Sequence, residues 1–327
     1  MAEEEMQRNL ALELVRVTEA AALSAIRMMG RGDKNGADSA AVNAMRQTLG
    51  RIEMDGVVVI GEGEKDEAPM LYVGEELGNG RAPRVDIAVD PVDGTRLLSQ
   101  GMPGAIAVVA LASRDTMYSA PPGIYYMEKI VVGPRAKGAI DIRKSVADNV
   151  KSVSRALNRD EGDITVMVLD RPRHEQLIKE IRATGARVSL IPDGDVMGAI
   201  AAADESTTVD MLMGTGGAPE AVIAACAIKA MRGDMQCKVF FRNEEERTKA
   251  IALGVDAEAI YRIDDLVKSD DVFFAATGIT NGELLRGVRI TDNMAYTESV
   301  VMRGKTGTIR YIRAVHPKEK VSHIVES

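Results

Sequence analysis

From Asn9 to Met29 apolar residues recur at three- and four-residue spacing ("NLALELVRVTEAAALSAIRMM"), which predicts a helix with a broad buried face. The Gly-rich stretch "GRGDKNGAD" breaks this pattern, and a second helix is predicted over Ser39 to Leu49. The period then shortens. The runs "GVVVIGEGE", "VDIAVDP", "AIAVVALA" and "EKIVVGP" are β-branched and apolar, so they read as strands of one buried sheet. Beyond "NRDEGD" strands and helices alternate, from "ITVMVLD" through "RHEQLIKEIRATG", "RVSLIPDGD" and "VDMLMGTGGAPE" to a helix ending near Met231. The tail, Thr297 to His316, reads as two strands about a Gly-containing turn, added antiparallel. The patterns predict an α/β chain of two closely packed lobes. An N-terminal α+β lobe covers residues 1–155, and a doubly wound α/β lobe covers 156–327.

Composition narrows the partners. The 327 residues are 46% hydrophobic, enough for a sizeable core, but only 3% are aromatic and none is Trp. The core is therefore built from Ala, Val, Ile, Leu and Met, and nothing offers a platform for stacked bases. A net charge of -8 argues against nucleic acid or an anionic membrane as the main partner, and an anionic substrate needs local cations. The longest apolar runs, such as Ala105 to Ala112, are too short to span a bilayer, and the start "MAEEEMQRN" is acidic where a signal peptide is basic. A soluble cytoplasmic protein is expected. Cys226 and Cys237 have no CxxC spacing and read as structural thiols.

Four acidic or Gly-rich clusters fall at the ends of predicted elements: "GDKNGAD", "IGEGEKDEAP", "DPVDGT" and "GTGGAPE". Each alone has a plain structural reading. Asp38 caps the next helix, "GEGE" is a solvated loop, Asp93 caps a turn, and Glu220 stabilises a helix start. Four in one chain, at positions where α/β sheets gather ligands, point instead to a site. In "DPVDGT", Asp90 reads as the end of a strand, with Pro91 barring further pairing and Asp93 turning back to the same point. Gly94 permits close approach, and Thr95 opens a helix whose free N–H groups can hold a phosphate. Converging carboxylates need a cation, and with three His in the chain the ligands are oxygens, which suit Mg²⁺ or Mn²⁺.

These motifs, with "VVVIGEGEKDEAPMLYVGEELG", "DIAVDPVDGT", "YYMEKIVVGP", "DRPRH", "IPDGDV", "FFAATGIT" and "VMRGKTGTIR" in one order, resemble the class II fructose-1,6-bisphosphatases, a branch of the lithium-sensitive, inositol monophosphatase-like phosphatases. The resemblance implies a layered αβαβα sandwich of the sugar-phosphatase type. It implies that Asp38 and Glu62 hold one divalent ion and that Asp90, Asp93 and Glu220 hold a second, with Glu64 an outer acid. It gives Thr95 the catalytic role of orienting the attacking water, with Asp90 and Glu62 beside it. Lys34, Asp93, Gly94, Thr95, Tyr126, Arg171, Pro172, Arg173, Asp193, Gly194, Asp195 and Gly217 fall in substrate-binding segments. Two departures stand out: Asp93 replaces the Glu of many relatives, and "GGAPE" stands where the wider superfamily has a Trp-Asp pair.

The expected reaction is metal-dependent hydrolysis of the C1 phosphate of fructose 1,6-bisphosphate, by in-line attack of an activated water aligned by Thr95. Arg171 and Arg173 are the candidate clamp for the second phosphate, and Asp193 and Asp195 accept from sugar hydroxyls. His174 reads as a helix-surface residue. Sedoheptulose 1,7-bisphosphate is the rival substrate, and a catalytically silent sugar-phosphate binding regulator is the rival of another class. A homo-oligomer, dimer or tetramer, is expected.

Overall fold

Helix α1 (Leu10–Ala25) is buried along almost its whole surface, and its run of alanines lets the backbone sit close against neighbouring strands. The structure is a computed structural model that describes residues 6–61, 71–121, 123–319 and 321. After α1, a 3₁₀ turn (Ile26–Met28) leads to α2 (Lys34–Leu49), β1 (Asp55–Ile60), β2 (Glu76–Leu77), β3 (Arg84–Asp93), α3 (Thr95–Gln100) and β4 (Ile106–Ser113). The chain continues through β5 (Tyr126–Val132), α4 (Val146–Leu157), β6 (Thr165–Leu169), α5 (Glu175–Ala183), β7 (Arg187–Ile191), α6 (Asp195–Ala203) and β8 (Met211–Gly217). Next come α7 (Ala218–Ala230), β9 (Asp234–Phe240), α8 (Glu244–Ala252), β10 (Ile260–Arg262) and α9 (Ile263–Leu266). It ends with β11 (Val272–Gly278), β12 (Arg289–Ile290), β13 (Met294–Arg303) and β14 (Thr308–Pro317). The α/β class expected from the sequence is the observed one.

Two compact units result, one from Met1–Met117 with Ser269–Ser327, the other from Tyr118–Lys268. In the first, the strands among the described residues run in the order β12-β13-β11-β4-β3-β1-β2, with β14 also on β13. Among the described residues only β1 and β3 pair in parallel here; the other pairs are antiparallel, including the predicted β13–β14 hairpin. Helices α1 and α2 cover this sheet, and Leu14, Met45, Ile87, Val109 and Phe273 meet in its core.

In the second unit the strands among the described residues run in the order β10-β9-β5-β8-β6-β7. Strands β6, β7 and β8 are parallel and joined through α5 and α6, as the alternating pattern predicts, while β5 pairs antiparallel with both β8 and β9. Helix α4 forms because Ser145 caps it, its hydroxyl accepting from Asp148 N at 3.1 Å, and because Val150, Val153 and Leu157 make one apolar stripe. That stripe packs with Ile130, Val132 and Val166 of the sheet. Among the described residues no helix is long and apolar enough to cross a membrane.

Two expectations are corrected. The run "EKIVVGP" does not join the first sheet: it is β5, inside the second, with partners 79 to 110 residues further along the chain in β8 and β9. A single cut near residue 155 falls inside α4, whose core spans it, and β11 to β14 return to the first sheet. Local pattern carries no record of such long-range pairing.

Candidate active site

In the first unit Asp33, not Asp38, caps α2: its Oδ1 accepts from Gly36 N at 2.9 Å. Asp38 lies one turn further in, with its carboxylate free for another partner. That partner is Thr95, whose Oγ1 donates to Asp38 Oδ1 at 2.9 Å and also lies 3.1 Å from the Val92 carbonyl oxygen. Burial pushes the Asp38 carboxyl up, while the Thr95 hydrogen bond and the charge of Lys34 one turn earlier pull it back.

Strand β3 does not end at Asp90, which corrects the reading of "DPVDGT". It continues to Asp93 through a bulge, since Asp90 pairs with Val108 and Asp93 with Ile106. Pro91 sits in that bulge, where no ladder donor is needed, and Asp90 Oδ1 accepts from Val92 N at 3.0 Å. Asp93 is buried at the strand end, and Gly94 turns the chain with φ +94° into α3, where Thr95 is the first residue. The sequence thus places Asp38, Asp90, Asp93, Gly94 and Thr95 in one unit, and Asp38 and Thr95 touch. Glu62 and Glu64 lie outside the described residues. Among the described residues no three His, Cys, Asp or Glu stand close enough to form a complete metal cluster.

In the second unit, β6, β7, β8 and β9 point the same way, because β8 and β9 are both antiparallel to β5. Their carboxyl ends share an edge with Tyr126, the first residue of β5, which pairs with Gly217 and Phe240. The expected substrate-binding residues from Tyr126 to Gly217 fall there. Arg171, Pro172 and Arg173 follow β6; Asp193, Gly194 and Asp195 follow β7; Gly217 ends β8, and Glu220 lies in the first turn of α7.

Arg171 is tied down: Nη2 donates to Asp193 Oδ1 at 3.0 Å, and Nη1 reaches the carbonyls of Asp170 and Pro192. Arg173 donates through Nε and Nη2 to the Thr215 carbonyl at 3.2 and 2.7 Å, and its guanidinium lies 5.3 Å from the Tyr126 ring centre. His174 is a correction. It is 3% exposed, not a surface residue, with Nδ1 at 2.7 Å from Leu169 O and Nε2 at 2.8 Å from Thr215 N. The backbone N–H fixes Nε2 as the acceptor, so Nδ1–H donates and the ring is neutral. Burial, helped by the nearby Arg173 and Arg171 charges, holds its pKa below the ordinary value, against the Leu169 carbonyl.

Lys129 was not singled out from the sequence. It is 2% exposed on β5, and its Nζ donates to Asp195 Oδ2 at 2.6 Å. Burial works against its charge, but Asp195 and Glu220 outweigh burial and raise its pKa. A lysine inside the apolar run "YYMEKIVVG" is a signal that a buried acid must lie nearby. Glu220 has the opposite problem: burial and the Asp195 charge raise its pKa, and Lys129 offsets part of that. Its Oε2 is buried without a hydrogen-bond partner among the described residues. Glycines make room for both acids, since a Cβ on Gly216 would stand 1.8 Å from Asp195 Oδ2, and one on Gly217 1.8 Å from Glu220 Oε2.

An α/β scaffold presenting a hydroxyl–carboxylate pair in one unit, and guanidinium and carboxylate groups at one sheet edge in the other, is of the phosphatase class. Comparison with known proteins gives the particular family. The family described as bacterial fructose-1,6-bisphosphatase, glpX-encoded, matches residues 8–316. The Escherichia coli (strain K12) fructose-1,6-bisphosphatase 1 class 2 is 46% identical over 324 residues, covering 95% of this chain and 96% of the relative. The class 2 enzyme of Shigella flexneri matches to the same extent. The chain belongs to the class 2 fructose-1,6-bisphosphatases, as its motifs suggested, and is a phosphoric monoester hydrolase.

Proposed function

We propose that the chain removes the C1 phosphate of fructose 1,6-bisphosphate with the aid of divalent ions, giving fructose 6-phosphate and phosphate. The observation that carries the mechanism is the Thr95–Asp38 hydrogen bond. Because the Thr95 proton is directed to Asp38, the lone pairs of Oγ1 are left to accept from a water and aim it at phosphorus. Phosphate monoester hydrolysis demands up to about 10²¹-fold acceleration, and acid–base catalysis contributes only about 10²- to 10⁴-fold, so charge stabilisation must supply most of the remainder.

The donor set fits Mn²⁺ or Mg²⁺: it is all oxygen, and the partnerless buried Oε2 of Glu220 suits a cation. Asp38 and Glu62 are the proposed ligands of one ion, and Asp90, Asp93 and Glu220 of another. When bound, such ions supply an acidified water and positive charge for the departing oxygen. Lys34, Asp93 and Gly94 are the proposed contacts of the phosphate that leaves. Arg173 and Tyr126 grip the other end of the sugar bisphosphate, Asp193 and Asp195 accept from its hydroxyls, and Arg171 braces Asp193. Pro172, Gly194 and Gly217 shape the loops that present them. The layered αβαβα sandwich, a homo-oligomer and a cytoplasmic location belong to the same proposal.

The test is phosphate release from fructose 1,6-bisphosphate, sedoheptulose 1,7-bisphosphate and inositol 1-phosphate in parallel. Fructose bisphosphate is expected to give the highest kcat/KM. Preference for the heptose would change the substrate, and preference for the inositol phosphate would overturn the bisphosphatase assignment.

A further inference from the structure

We propose that Arg242 is a binding residue for the phosphate that the enzyme does not cleave, a role that rests on the bisphosphatase reading above. Strands β6, β7 and β8 each deliver expected site residues from the loop at their carboxyl end. β9 is the fourth strand of the same direction, and its loop carries Phe241, Arg242 and Asn243. Phe240, the last residue of β9, pairs with Tyr126 across from Gly217, so this loop opens at the same edge.

Arg242 reaches the tyrosines there. Its guanidinium lies 4.9 Å from the Tyr125 ring centre and 5.8 Å from that of Tyr126, the ring that Arg173 approaches at 5.3 Å. It is also aimed. Asn243 caps α8, with Oδ1 accepting from Glu246 N at 2.9 Å, and that turn brings Glu246 back to Arg242. Glu246 Oε2 accepts from Arg242 N at 2.9 Å, and its Oε1 accepts from Arg242 Nε at 2.6 Å.

With Nε and Nη2 of Arg242 on Glu246, and Nε and Nη2 of Arg173 on Thr215, the Nη1 groups of both arginines have no hydrogen-bond partner among the described residues. Two guanidinium groups beside one tyrosine, each with a free donor end, match a phosphate dianion. Arg171 offers less, because both of its terminal nitrogens already donate to protein oxygens. In a chain of net charge -8, an anion's second end requires such a local pair.

The experiment compares kcat/KM for fructose 1,6-bisphosphate and for fructose 1-phosphate, which lacks the second phosphate, in the wild type, Arg242→Gln and Arg242→Lys. Arg247→Gln, altering the exposed arginine beside Glu244, is the control. Fructose 6-phosphate affinity is measured alongside by calorimetry. Arg242→Gln is expected to cut the preference for the bisphosphate about 10- to 100-fold, mainly through KM, and to weaken fructose 6-phosphate binding by a similar factor. Arg242→Lys falls between, and Arg247→Gln matches the wild type. An unchanged preference in Arg242→Gln overturns the proposal, as does an equal fall on both substrates, which would mark a structural role. A wild type inactive on fructose 1,6-bisphosphate would instead defeat the bisphosphatase reading.

Discussion

Gly217 has an ordinary φ of -62°, so backbone freedom does not explain its glycine; space does. The Glu220 Oε2 atom occupies the volume a Cβ would need, and Gly216 stands in the same relation to Asp195. Gly217→Ala is therefore expected to push the Glu220 carboxylate aside, at a cost of about 1–3 kcal/mol for overpacking. Activity should fall at least about tenfold, recovered in part by raising the metal concentration, as phosphate release across a Mn²⁺ titration would show. An unaltered titration curve would mean that the position of Glu220 does not matter. The acids and arginines of "DRPRH", "DGD" and "GGAPE" were visible as letters because polar residues bunched after apolar strands are conspicuous. The Lys129–Asp195 pair was not, because its members lie 66 residues apart and only the folded sheet joins them. Removing either charge alone strands the other in the interior, which typically costs about 3–5 kcal/mol.

Between elements, His174 braces β6 to β8: one ring nitrogen holds the Leu169 carbonyl and the other takes the Thr215 N–H. Protonation of Nε2 would break the second bond, so the folded state resists it. The folded pKa is lowered from 6.5, hence His174 leaves stability independent of pH well above 6.5, where it is neutral folded or unfolded. Below that value the unfolded chain gains a proton that the fold refuses, and stability falls towards the lower folded pKa, by at most about 1.4 kcal/mol per pH unit. His174→Gln, which cannot titrate, should therefore lower Tm at pH 8, and its deficit against the wild type should narrow on acidification. Parallel Tm curves between pH 8 and pH 5 would show that His174 is not the titrating brace. His174, beside a helix pattern, reads from the sequence as a surface residue because its burial comes from β8, 41 residues on. The start of α2 misled in a similar way. Asp33 and Asp38 both stand in the loop-like stretch ahead of the apolar pattern of α2, and the demand of Thr95 for a partner appears only when β3 and α2 are packed in one unit.

At the scale of the whole chain, period and alternation fixed the α/β class and most elements, because each depends on neighbours within a turn or a strand. The division into units depended on which strands pair. β5 looks like β1, β3 and β4 in composition yet belongs to the other sheet, and β11 to β14 close the sheet that the first hundred residues began. The central claim joins all these scales: ions held by strand-end carboxylates, together with Thr95, drive phosphate release. The most direct measurement is release of inorganic phosphate from fructose 1,6-bisphosphate by metal-stripped protein, with and without added Mn²⁺ or Mg²⁺, beside Thr95→Ala. The account predicts no turnover without an added ion, turnover on its return, and a loss of about 10²- to 10⁴-fold in kcat for Thr95→Ala with little change in KM. Full turnover by the stripped protein in the presence of chelator, or an undiminished kcat in Thr95→Ala, would contradict it.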